Sequence, residues 1–133
     1  MMTAKSLFRG AFAVFVLAAV PALAQEARTV AAGKRTALGS FALYSPVECA
    51  ASSTPESRVA TQPANGKVEV VPERRTVSGP QCKPFQMQVQ MIYYTPKAGF
   101  RGTDYVSVDF FYAPFIEAPR TTSRRQSYAI TVQ

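Results

Sequence analysis

The side chains able to do chemistry are few, and their spacing limits what they can do. Cys49 and Cys82 stand 33 residues apart. That is far from the Cys-x-x-Cys spacing of a redox pair, and no basic cluster flanks both thiols to favour a thiolate. Asp104 and Asp109 are close in sequence, but an odd separation puts them on opposite faces of a strand, which denies them shared acid–base work. Asp104 reads as a brace at the start of a strand, its carboxylate accepting backbone N–H groups across a corner. Arg120, Arg124 and Arg125 share the segment Ala113–Arg125 with Phe115 and Ile116, a combination suited to docking an acidic partner or, as the more ordinary reading, to keeping a solvated hairpin soluble and its edge protected. The chain has 15 Lys and Arg against 8 Asp and Glu, no His, and a formal charge of +7. Without His there is no His-ligated metal site, Ser-His-Asp triad or Cys-His nucleophile, and a lone cysteine pair does not complete a structural zinc site. No Gly-rich phosphate loop occurs either. The expectation is a protein that is not an enzyme, with no catalytic residues, no metal and no cofactor.

The start of the chain has the three parts of a secretory signal. Lys5 and Arg9 charge the first residues, Ala11–Val20 is continuously apolar, and Ala22-Leu23-Ala24 is a small-x-small cleavage pattern. The apolar run is shorter than the roughly 20 residues that span a bilayer. Met1–Ala24 is therefore expected to be a removable signal peptide, helical in the precursor, with no membrane span after cleavage. The expected location is exported, either periplasmic or extracellular. In that compartment an even cysteine pair reads as the disulfide Cys49–Cys82. Nucleic acid is excluded as a partner by the compartment and by the lack of an aromatic-basic stacking platform.

The rest of the chain carries strand signals. Only Leu38 and Leu43 remain as leucines after residue 24, while Val, Thr, Tyr and Phe are frequent and Pro punctuates regularly. Gln25–Arg35 reads as a flexible N-terminal arm, with the folded domain over 36–133. Ala37–Ser45 alternates, with Leu38, Ser40, Ala42 and Tyr44 opposite Ala37, Phe41 and Leu43. Val59–Thr61 and Lys67–Val71 flank a reversal at Pro63–Gly66, and Pro72–Pro84 reads as a short edge strand and a turn. Gln86–Tyr94 places Met87, Val89, Met91 and Tyr93 on one face. Tyr105–Tyr112 places Val106, Val108 and Phe110 together, and Ser127–Gln133 closes the domain with Tyr128, Ile130 and Val132. About seven short strands without a crossover helix describe an all-β antiparallel sandwich.

The segment Tyr94-Thr95-Pro96-Lys97-Ala98-Gly99-Phe100-Arg101-Gly102-Thr103-Asp104 resembles the Tyr-x-Pro-x-x-Gly-Phe-x-Gly-x-Asp signature of bacterial Ig-like and cadherin-like repeat domains. Pro63–Val68 and Tyr128–Val132 are similar to a turn and the closing strand of those domains. The resemblance implies an Ig-like sandwich, here in a single copy. In physical terms Pro96 ends a strand, Gly99 and Gly102 permit tight backbone geometry, and Phe100 plugs the end of the sandwich above Asp104. The acidic clusters of calcium-binding cadherins are missing, so no calcium role follows. The expected function is a small binding module of the cell envelope. Its partner would be an envelope protein or a polyanionic glycan, docked through Ala113–Arg125 or by strand addition at an edge. A structural or accessory subunit and an enzyme inhibitor remain as alternatives, and the oligomeric state is open.

Overall fold

The structure, a computed structural model, describes residues 24–113 and 120–133. The expected signal segment therefore lies, apart from Ala24, outside the described residues, as do Phe115 and Ile116. Among the described residues there is no helix. The strands are β1 (Glu26–Val30), β2 (Thr36–Phe41), β3 (Tyr44–Ser45), β4 (Ala50–Ala51), β5 (Glu56–Thr61), β6 (Gly66–Gly79), β7 (Cys82–Pro96), β8 (Gly102–Tyr112) and β9 (Thr122–Val132). They form a four-stranded sheet in the order β1-β9-β8-β5, a three-stranded sheet β2-β7-β6, and the small pair β3-β4. The two larger sheets share one core. Leu38, Phe41, Ile92 and Tyr94 from one meet Val30, Val106, Val108, Phe110, Tyr128, Ile130 and Val132 from the other, an arrangement consistent with a β-sandwich. Phe41 stacks on Phe110 with ring centroids 4.5 Å apart.

Several local expectations are corrected. Residues 26–30, read as part of a flexible arm, form β1, which pairs in parallel with β9 and buries Val30 to 3% exposure. The larger sheets are therefore not purely antiparallel. Glu26–Val30 shows no apolar periodicity because an edge strand is held by its backbone ladder. Arg28 adds a cross-sheet link, its Nε donating to Leu38 O at 2.7 Å. In β2, Leu38 and Phe41 are both buried although strict alternation sets them on opposite faces. A register shift between Ala37 and Gly39 resets the phase. Gly39 is required there, because a Cβ would collide with the Tyr128 hydroxyl.

In β7 the expected face is buried at Met87 and Val89, but farther along the residues that enter the shared core are Ile92 and Tyr94, not Met91 and Tyr93. Met91, Ile92, Tyr93 and Tyr94 are all apolar, so periodicity alone does not choose between the faces. The opposing sheet decides. Tyr93 instead lies beneath the Arg35 guanidinium, 3.7 Å from its ring centroid, and donates to Glu73 Oε1. The Pro72–Pro84 stretch is the distal half of a long hairpin, paired from Gly66↔Pro96 to Gly79↔Cys82. The Cys49–Cys82 disulfide is formed, with Cα atoms 5.5 Å apart, and anchors the β3–β4 excursion to the start of β7.

Candidate functional site

The densest polar constellation surrounds Asp104 at the end of the sandwich where β7 leaves and β8 enters. Pro96 is the last residue of β7, and Gly99 and Gly102 adopt φ values of +80° and +140°. The Phe100 N–H closes the turn on Lys97 O at 3.0 Å, and the Phe100 side chain packs against the core. This geometry delivers Asp104 to the second residue after Gly102, on the inward face of β8, at 2% exposure.

Its carboxylate is surrounded by donors. Oδ1 accepts the Ala64 N–H at 2.9 Å and the Tyr105 N–H at 3.0 Å. Oδ2 accepts the Asn65 N–H at 3.0 Å and the Tyr94 hydroxyl at 2.8 Å. Burial first, then the hydrogen bond to Asp104 and its negative charge, push the Tyr94 phenol well above the ordinary tyrosine range. Asn65 O in turn accepts the Lys97 N–H at 2.8 Å, so the β5–β6 and β7–β8 turns are cross-linked through one carboxylate. Gly66 completes the corner: a Cβ there would stand 2.5 Å from the Tyr94 ring and 2.7 Å from Thr95 O. With every donor internal, this carboxylate braces turns and offers no free lone pair in a cleft.

The expected basic loop is divided by the structure. Arg124 and Arg125 belong to β9, in register with Phe110 and Asp109, rather than to a connection. Arg125 grips Asp109 through two bonds, Nε–Oδ1 at 2.6 Å and Nη2–Oδ2 at 2.8 Å. The Arg125 hydrogen bond, aided by its charge and that of Arg58, holds the Asp109 carboxyl below its usual range. Arg120 and Arg124 are exposed. The strand expected over Ser127–Gln133 begins five residues earlier, at Thr122; its first part leaves no sequence signal because Thr122–Arg125 is wholly exposed and shows no alternation. Nor does the sequence show Ala64 and Asn65 as partners of Asp104, since contacts across some 40 residues leave no local trace, or Tyr94, ten residues away across the turn.

A depression of about 410 Å³ lies on the outer face of β2-β7-β6, lined by Ser40, Ala42, Arg75, Val77, Val89 and Met91. Its single charged residue, Arg75, is held by Glu73 at 2.6 Å. Among the described residues no group of acids and cysteines is arranged to hold a metal.

No family model matches the chain, and no curated protein matches it. Among solved structures, the solution structure of Amebosin is similar over 80% of this chain and 88% of its own, with 16% identity and a TM-score of 0.43.

Proposed function

We propose that this chain is an exported, non-catalytic Ig-like binding module of the cell envelope, whose partner is an envelope protein or a polyanionic glycan. The observation that carries the reading is the state of Asp104. The most buried acid among the described residues is saturated by internal donors, so the groups left to act are those at the surface, where recognition is the available chemistry. The sheet composition supports the Ig-like part. Taking β2, β7 and β6 as one sheet and β9, β8 and β5 as the core of the other reproduces the B-E-D and G-F-C strand groups of that fold. The disulfide and the amino-terminal signal pattern support export.

Capture from envelope fractions tests the proposal, comparing the purified protein with a variant in which Arg120, Arg124 and Arg125 become Ser. Loss of a specific partner is the expected result, with the melting temperature lowered only slightly by the lost Arg125–Asp109 pair. Equal capture by both proteins removes these arginines from the contact surface. Finding the native protein in the cytoplasm with Cys49 and Cys82 reduced overturns the export reading.

A further inference from the structure

The outer face of the β1-β9-β8-β5 sheet is unusual in what it displays. The registers align side chains in rows across the strands. Thr29, Thr131 and Thr103 form one row, and Ala27, Ala129 and Tyr105 form the next. Ser127, Ser107 and Thr61 form a third, in which the Ser107 hydroxyl donates to Thr61 Oγ1 at 2.7 Å. The three threonines of the first row are exposed, and Tyr105 is 50% exposed beside small neighbours that leave its ring open. The face carries hydroxyls, methyls and one aromatic ring, and no charge across these rows.

Free cations stand at one end of this strip. At the threonine end, Arg101 precedes β8, and Lys97 and Lys34 occupy adjoining turns. All three are exposed and make no ion pair among the described residues. At the other end Arg58 and Arg125 stand among the acids Asp109 and Glu56, with Arg125 held by Asp109, so the free positive charge lies at the threonine end. From Thr103 to Asp109 the strand advances about 20 Å at roughly 3.3 Å per residue.

We propose that this face binds an acidic polysaccharide. A sugar ring stacks on Tyr105, the exposed Thr hydroxyls exchange hydrogen bonds with sugar hydroxyls, and Arg101, Lys97 and Lys34 meet the anionic groups of the chain. This deepens the binding-module reading and rests on it. A second copy of the chain is the poorer occupant, because stable protein interfaces centre on clustered large apolar anchors and Tyr105 stands alone. A lipid bilayer is poorer too, since Phe100 at the basic end packs inward and supplies no apolar wedge.

The test is titration of the purified protein with dextran sulfate and, separately, uncharged dextran of equal length. Tyr105→Ala, Thr131→Val and Arg101→Ser are compared with Arg74→Ser, an exposed change on the other sheet. The expected result is saturable, salt-sensitive binding to dextran sulfate, about tenfold weaker in Tyr105→Ala and Arg101→Ser and measurably weaker in Thr131→Val, with Arg74→Ser unchanged. These are surface positions, and unchanged melting curves confirm that each variant is folded. Equal weakening by Arg74→Ser would reduce the effect to overall charge and overturn the site. So would binding insensitive to Tyr105, self-association that buries the face, or binding to anionic vesicles in place of the polysaccharide. Capture of one envelope protein by wild type and Tyr105→Ala alike would remove this site and leave the broader proposal standing.

Discussion

At Asp104 one carboxylate takes up the Ala64, Asn65 and Tyr105 N–H groups together with the Tyr94 hydroxyl. Four donors converge on it, and the phenol of Tyr94 is as buried as the acid. Asp104→Asn keeps the shape but turns one acceptor into a donor facing donors. We expect a loss of about 2–4 kcal/mol, read as a lower urea midpoint with an unchanged slope. Tyr94 gives a complementary alkaline signature. Its folded pKa lies above the unfolded value near 10, so its contribution is complete below about pH 10 and is lost as pH rises through the folded value. Tyr94→Phe is less stable than wild type at neutral pH, and the gap narrows above pH 10. Denaturation midpoints measured against pH check this; a constant gap would detach Tyr94 from the linkage.

Elements differed in how much of themselves they announced. β8 was legible because Val106, Val108 and Phe110 alternate against Ser107 and Asp109, and all three valine and phenylalanine side chains reach the core. The Asp104 corner was legible too, since glycines and a proline fix its turn within one short stretch. β1 was not, because its hold on β9 is backbone to backbone. The arginines misled because a basic, proline-flanked run looks the same whether it loops or enters a strand. The β8–β9 pair carries its own prediction. Asp109 titrates below its ordinary value, so its contribution is present above the unfolded Asp pKa near 3.9 and disappears as pH falls through the folded one. Asp109→Asn should flatten the acid limb of the stability profile, by a modest amount because the pair is partly exposed. The disulfide acts at the same scale, closing the chain between β3–β4 and β7. Replacing both cysteines with Ser should cost about 3–4 kcal/mol in thermal or denaturant unfolding.

For the molecule as a whole, no strand is shared between the two larger sheets, so their cohesion depends on side chains crossing the interior. Arg28 and Gln126 reach across to carbonyl groups of β2, and the Phe41–Phe110 stack fills one end of the core. The Asp104 brace holds the other end, about 20 Å away along β8 at roughly 3.3 Å per residue. Two distant devices in one core should unfold together yet contribute independently. Phe110→Ala should cost about 3–5 kcal/mol through lost contact and the cavity left behind. Combined with Asp104→Asn, its effect should add to within about 0.5 kcal/mol, because the sites share no partner. Combined with Phe41→Ala it should fall short of the sum, since either truncation already removes the stack. Urea unfolding of the two double variants separates these cases. Strong coupling between Asp104 and Phe110 would mean that the ends of the sandwich communicate through the core rather than standing as separate supports.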